Sequence, residues 1–240
     1  MLSRAEAYRR SFAPLCAHPI DELLDLIPPP RLAADVGAGA GAVAERLRGR
    51  GVTAVASDAN PAPGIIAAAL PQLPFRTGAF DAAVANFVVN HLADPAAGVA
   101  EMARIVRPGG YVAVSIWAVA TSTPLQRLWL DIMDAAGIAR PAPTAVRDFP
   151  RTADGLAALL RGAGLHRVVV RTATWRHHAD PDEWWLGPQH GFGSLGQALR
   201  RDPERVDAAR RAYDAHVARL GGAIDLETSA LLAAGTVNPD

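Results

Sequence analysis

A short apolar run, Leu32 to Val36, breaks into a turn with glycine at 37, 39 and 41 and passes straight into a helical pattern, in the stretch "DVGAGAGAVAERL" from Asp35 to Leu47. Strand, glycine turn and helix in that order let the backbone approach a ligand closely, with the free N–H groups and the positive end of the helix nearby. The alternation continues down the chain. Apolar runs at 53–57, 64–68, 80–87 and 111–117 read as strands, with helical patterns at Gly41 to Arg50 and Pro95 to Val106. Short apolar runs alternating with helices predict an α/β fold whose parallel strands are covered on both faces.

On the flanks, residues 4–27 read as helical and stop at the prolines 28–30. Helices are expected at 124–136 and 152–164, the second with Thr152 as N-cap and Gly164 near its C-cap. A long strand, "LHRVVVRTATWRH", follows. From 181 onward "DPDEWW" opens one helix, and "DPERVDAARRAYDAHVARLGG" opens another, with Asp202 as cap and Pro203 in the first helical position. Val206, Ala209, Tyr213, Val217 and Leu220 step by three and four, so one face of that helix should pack. The final strand is expected at 229–237. The whole reads as a single domain over 1–240: N-terminal helices 1–29, a core at 30–180 completed by a final strand within 225–240, and a helical lid inserted at about 181–224.

Composition narrows the chemistry. The chain has 240 residues with 24 basic and 24 acidic side chains, so no global field favours nucleic acid or an anionic membrane. Every basic residue is arginine. Without lysine, Schiff-base chemistry and the phosphate-gripping lysine of a P-loop are both excluded. The single cysteine, Cys16, forms neither an internal disulfide nor a cysteine-cluster metal site, as expected of a cytoplasmic protein. Apolar runs fall short of the roughly 18 residues of a membrane span. No metal, nucleic-acid or membrane partner is expected; the reading is a monomer or homodimer acting on a small molecule.

The glycines alone leave the ligand open, because Gly37, Gly39 and Ala42 also satisfy the dinucleotide pattern G-x-G-x-x-[GA]. Asp35 discriminates. A carboxylate two residues before the first glycine sits badly beside a pyrophosphate and suits a ligand bearing an ammonium or other cation. A second acid, Asp58, ends the next strand, 17 residues past Gly41, where an acid grips ribose hydroxyls in either nucleotide fold.

"DVGAGAG", "SDANP" and "LPFRTGAFDAAVANFVVNHLADPAAGVAEMARIVRPGGYVAVSIW" together resemble the class I S-adenosylmethionine-dependent methyltransferases, particularly their UbiE-like, small-molecule group (methyltransferase type 11). The resemblance spans about residues 30–117. It implies a Rossmann-like seven-stranded sheet of order 3-2-1-4-5-7-6 with the last strand antiparallel, S-adenosyl-L-methionine as cofactor, and methyl transfer to oxygen, nitrogen or carbon of a small-molecule acceptor. It also implies that Asp35 and the backbone of Gly37, Ala38 and Gly39 face the methionine part, that Asp58 holds the ribose, and that Ala59, Ala69 and Leu70 border the adenine. Asn86 would lie near the cofactor's centre. His91 would stand where the acceptor enters, as the candidate base.

Two departures from the family pattern motivate an alternative, a methyltransferase-fold protein that does not methylate, such as a biosynthetic cyclase, an isomerase or a cofactor-binding regulator. Only "ANPAPG" separates Asp58 from the next apolar run, where the family has a helix. Ala69 stands where members commonly carry an acid for the adenine amino group; a charge-assisted hydrogen bond of that kind is worth about 1.5–3 kcal/mol. Other candidates read as structure. His177 and His178 would point to opposite faces of a strand, and "GFGSLG" has Phe192 where a nucleophile elbow needs glycine, so it reads as loop. Trp184 and Trp185 serve either an acceptor pocket or packing, as does Tyr8.

Overall fold

In the computed structural model, which describes residues 2–118, 123–140 and 149–238, the alternating runs assemble into a seven-stranded sheet. Its strands are β1 (Leu32–Val36), β2 (Thr53–Asp58), β3 (Ile66–Ala67), β4 (Phe80–Asn86), β5 (Val106–Trp117), β6 (Leu165–Ala179) and β7 (Ile224–Val237). They lie in the expected order, β3-β2-β1-β4-β5-β7-β6. The first five pair in parallel, and β7 runs antiparallel to β5, from Tyr111 opposite Thr236 to Trp117 opposite Ala230. The helices are α1 (Arg4–Arg10), α2 (Phe12–Ala17), α3 (Ile20–Leu24), α4 (Ala42–Gly49), α5 (Pro95–Ile105), α6 (Pro124–Ala135), α7 (Ala153–Gly162), α8 (Pro181–Gln189), α9 (Gly193–Arg201) and α10 (Val206–Arg219).

The chain divides into two compact units. The first comprises residues 16–120, 145–173 and 230–240. Its core is built by alternation: Ala34 and Val36 of β1, Ala83 and Ala85 of β4, and Val112, Val114 and Ile116 of β5 point to one face. There they meet Val99, Met102 and Ile105 of α5 and Leu156 and Leu160 of α7. Burying each of the larger aliphatic side chains is worth about 1.5–3 kcal/mol. The covering helices are started by side chains that satisfy their first N–H groups: Asp94 accepts from Ala97 N at 3.0 Å, and Thr152, as expected, accepts from Gly155 N at 3.1 Å. At the start of the sheet Asp81 accepts from the N–H groups of Arg31 (3.0 Å) and Leu32 (2.9 Å) and pairs with Arg107 at 2.7 Å. The Arg107 guanidinium and those N–H groups hold the Asp81 carboxyl below the usual range.

The second unit comprises residues 1–15, 121–144 and 174–229 and is held by stacked rings. Fully buried Trp184 lies between Phe12, centroid 4.8 Å away, and Trp129 at 5.6 Å, and Trp129 stacks in turn on Tyr213 at 6.0 Å. The Tyr213 hydroxyl donates to Pro181 O at 2.7 Å, which satisfies the polar tip of a buried ring. Arg10 pairs with Glu183. Trp184 and Trp185 therefore have packing partners inside this unit, and Tyr8 tilts against Phe192 at 5.1 Å.

The elements depart from the sequence reading in identifiable places. Residues 4–24 form three short helices, because Ser11 turns its hydroxyl back onto Ala7 O (2.6 Å) and Pro19 interrupts the backbone ladder. The expected strand 64–68 shrinks to Ile66–Ala67 at the sheet edge, with Ile66 41% exposed; Pro61, Pro63 and Gly64 before it cannot extend the pairing. β5 starts at Val106, five residues early, with a register shift opposite Phe80–Ala82. Gly110 permits that shift, since a Cβ there would stand 2.5 Å from Asp81 O. Helix α9 begins inside "GFGSLG", where loop was expected: its two glycines hide a helical face that buries Leu195, Ala198 and Leu199. Pro203 to Arg205 form a 3-10 turn and α10 starts only at Val206, so Asp202 does not cap it; Leu220 at its end is 38% exposed. β7 begins at Ile224, before the expected 229. Met1 and residues 239–240, assigned above to the terminal segments, lie outside the described residues.

Candidate functional site

After β3 the chain crosses to the other side of β1 to form β4, so the sheet order reverses between β1 and β4. A crevice at the carboxyl ends of the strands is the expected binding place at such a point. Asp35, Asp58 and Asn86 all stand at those ends.

The glycine turn is locked onto β2. Gly37 N and Ala38 N both donate to Ser57 O, at 2.8 and 2.9 Å, and Gly39 N donates to the Asp58 carboxylate (Oδ2) at 2.8 Å. Asp58 takes a second bond on its other oxygen from Asn60 N, also 2.8 Å. Each carboxylate oxygen keeps a free acceptor position, enough for two further hydroxyl donors. Gly37, Gly39 and Gly41 have φ of 71°, 53° and 85°, the left-handed region in which other residues are strained.

Asp35 is 1% exposed, and its Oδ2 accepts the N–H of Ala44, in the first turn of α4, at 2.9 Å. It thus serves α4 as a cap reached from the preceding strand, while Gly41 at the formal N-cap position brings no side chain. Burial pushes its pKa up to about 7; the Ala44 bond opposes that, and the negative Asp58 adds to it.

Asn86 is engaged on both sides of its amide. Nδ2 donates to Cys16 O, at the end of α2, at 2.8 Å, and Oδ1 accepts from the Ser115 hydroxyl at 2.6 Å. Ser115 Oγ also accepts from Phe87 N at 2.9 Å. Phe87 has φ of 57°, and its ring stacks on Trp117 with centroids 4.0 Å apart. Ser115, Phe87 and Trp117 escaped the sequence reading, although an aromatic directly after the strand-ending Asn86 was the available signal. The next residue, Val88, packs against Gly37, so the turn 87–91 abuts the glycine turn. His91 closes that turn at the surface, its Nε2 3.2 Å from Asn90 Nδ2. Partial desolvation, and secondarily the Arg151 guanidinium, lower its pKa.

Beyond β2, no helix intervenes before β3, as "ANPAPG" implied. Ala68 N donates to the backbone O of Asp58 at 3.0 Å, and Gln72 N bonds to Ala69 O at 3.0 Å, closing a turn that carries Leu70. The structure thus bonds Gly37 and Ala38 to Ser57 O and Gly39 and Ala68 to Asp58, with Asp35 on the adjacent strand, Ala59, Ala69 and Leu70 on the chain beyond Asp58, Asn86 at the end of β4 and His91 on the turn that follows it. His177 and His178 do diverge: His177 is buried against Trp184 (4.7 Å), and His178 faces Asp225 at 3.1 Å in solvent. Among the described residues no cluster of three His, Cys, Asp or Glu could hold a metal ion.

Residues 34–114 match a family model described as a methyltransferase domain. The chain is 31% identical over 180 residues to a demethylmenaquinone methyltransferase of Mycolicibacterium vanbaalenii, covering 64% of this chain and 75% of that protein. It is 32% identical over 167 residues to a ubiquinone biosynthesis O-methyltransferase of Xylella fastidiosa, covering 60% and 66%. Among solved structures, a candidate methyltransferase from an antibiotic biosynthesis pathway of Anabaena variabilis shares the fold, with TM-score 0.62 and 17% identity over 89% of this chain and 95% of that one.

Proposed function

Because the chain belongs to the class I S-adenosylmethionine-dependent methyltransferases, in their UbiE-like group, and so methylates a small molecule, we propose that the residues at the carboxyl ends of β1, β2 and β4 form its cofactor site. The observation that carries this reading is the hydrogen bond from Gly39 N to the Asp58 carboxylate, which joins glycine turn and acid into one cradle. The residues fit the cofactor. Asp58 has two acceptor positions to spare for a ribose diol, and buried Asp35, ionised once an ammonium-bearing amino-acid end binds, would supply its countercharge beside the glycine turn.

When bound, the cofactor supplies a methyl group activated on a sulfonium sulfur. The chain's own contribution is orientation and exclusion of water. Asp35 and the backbone of Gly37, Ala38 and Gly39 hold the amino-acid end, Asp58 the ribose, and Ala59, Ala69 and Leu70 border the adenine. Asn86, fixed by Cys16 O and Ser115, presents a rigid floor beside the reacting centre. His91, whose pKa is lowered by partial desolvation, would take a proton from an acceptor that must lose one. Relatives named for menaquinone and ubiquinone biosynthesis make a phenol or quinol the first acceptor to assay. The same reading takes the protein as cytoplasmic, a monomer or homodimer, with residues 181–224 as a lid insertion; its single cysteine is in keeping with a reducing compartment.

Asp58→Ala tests the assignment. Losing the ribose bonds should weaken S-adenosylhomocysteine binding by about 10- to 100-fold in calorimetry. Unchanged affinity would remove Asp58 from the site.

A further inference from the structure

The segment bordering the adenine has little structure of its own. β3 is two residues long, the helix that would precede it is missing, and the chain from Ala68 to Leu73 is a turn. Two anchors hold it. At one end Ala68 N bonds to Asp58 O. At the other, α5 grips both polar groups of a single peptide residue: Glu101 Oε1 accepts from Leu73 N at 2.7 Å, and Arg104 Nη2 donates to Leu73 O at 3.2 Å. The two side chains also bond each other, Arg104 Nε to Glu101 Oε2 at 2.7 Å and Nη2 to Oε1 at 2.8 Å, and Arg104 Nη1 reaches Thr77 Oγ1 at 3.3 Å. The Glu101 side chain is only 12% exposed, and Leu73 is buried in the core beneath α5.

We propose that Glu101 and Arg104 are positioning residues for the nucleoside end of the cofactor: by clamping Leu73 they set the height of the Ala69–Leu70 turn over the adenine. This inference rests on the cofactor-site reading above. Ala69 brings no polar side chain, so any hydrogen bonding to the base there falls to backbone groups, and a backbone group recognises a ligand only where the loop is held in place. A clamp that bonds both the N–H and the C=O of one residue fixes that residue's peptide orientation, which a hydrophobic anchor alone does not. The pair acts through the backbone it holds, its bonds going to Leu73, Thr77 and each other. Its effect runs through the four residues of chain between the two fixed points, Ala68 and Leu73.

The test measures binding of S-adenosylhomocysteine and of 5′-methylthioadenosine, which keeps the nucleoside and lacks the amino-acid end, to the full chain by calorimetry. Glu101→Ala should weaken both ligands by about tenfold, while Glu101→Gln, whose amide oxygen still accepts from Leu73 N, should stay within about threefold of the parent. Asp81→Ala removes a comparable clamp at the opposite end of β1 and β4; it should lower the melting temperature and leave both affinities unchanged. If the unmodified chain binds neither ligand, the site reading itself fails. If it binds both and Glu101→Ala binds them equally well, or loses affinity only for S-adenosylhomocysteine, the positioning role is overturned. Should Glu101→Ala not fold, Arg104→Gln decides: it keeps the Leu73–Glu101 bond, and parent-like affinity for methylthioadenosine together with faster amide exchange at Leu73 would overturn the proposal, whereas a several-fold loss supports it.

Discussion

Gly37→Ala is expected to cost about 2–5 kcal/mol of stability and to abolish measurable cofactor binding in what remains folded. Two independent penalties act at this position. The residue sits at φ of 71°, where alanine pays for its Cβ against the backbone. That Cβ would also stand 2.4 Å from Val88 Cγ2 and 2.9 Å from Cγ1, closer than carbon atoms approach. Val88 cannot simply withdraw, because the turn it heads is fixed by Phe87 N on Ser115 and by the Phe87–Trp117 stack. The glycine turn must move instead, and with it the bonds of Gly37 and Ala38 to Ser57 O and of Gly39 to Asp58. The double variant Gly37→Ala/Val88→Ala separates the two terms: thermal unfolding should recover the packing share, about 1–3 kcal/mol, and leave the backbone share. No recovery would mean that Val88 is not what excludes a side chain at 37.

The share of the ligand-free protein's stability that comes from Asp35 should fall as pH rises from about 4 to about 7. The folded state holds a proton on Asp35 up to about pH 7, whereas the unfolded chain sheds it at the ordinary carboxylate pKa of 3.8. Between those values the folded state binds more protons, so unfolding free energy falls with pH, then levels off above about 7. The full span corresponds to at most about 4 kcal/mol, reduced by whatever water reaches the site. Other carboxylates work in the opposite sense; Asp81, whose pKa is lowered by Arg107, loses its contribution as pH falls. The Asp35 share is therefore read as the difference between the parent and Asp35→Asn, whose side-chain oxygen still accepts from Ala44 N and which has no charge to bury. Cofactor binding should show the mirror image. A cationic amino-acid end needs Asp35 ionised, so binding releases a proton near neutrality and affinity drops up to about tenfold for each pH unit below about 7. Calorimetry in buffers of different ionisation enthalpy detects that proton directly. A binding profile identical in the parent and in Asp35→Asn would show that Asp35 does no more than cap α4.

Much of this molecule is legible in its sequence because the information is local. The period-two and period-three-to-four spacing of apolar residues gives β1, β2, β4, α5 and α7 nearly to the residue, and the chain order of short strands and helices carries the sheet order through the resemblance. Errors collect where a local signal is ambiguous. "GIIAA" has the composition of a strand and only two residues of partner to pair with; "GFGSLG" has the composition of a loop, yet packing of Leu195 and Leu199 outweighs its glycines and makes it the start of a helix.

The candidate site divides in the same way. Sequence alone placed two acids and a glycine turn at the ends of adjacent strands, since strand ends and turn glycines are read from neighbours in the chain. Only the tertiary structure decided what those groups are bonded to: Asp35 to the first turn of α4, Asp58 to Gly39, Asn86 to Cys16 seventy residues away, and Leu73 to Glu101 twenty-eight residues on. The reason is physical. Hydrophobic pattern fixes which face of an element is buried and repeats along the chain. A hydrogen bond depends on distance and angle between two particular atoms, and those are set only when separate elements are packed together.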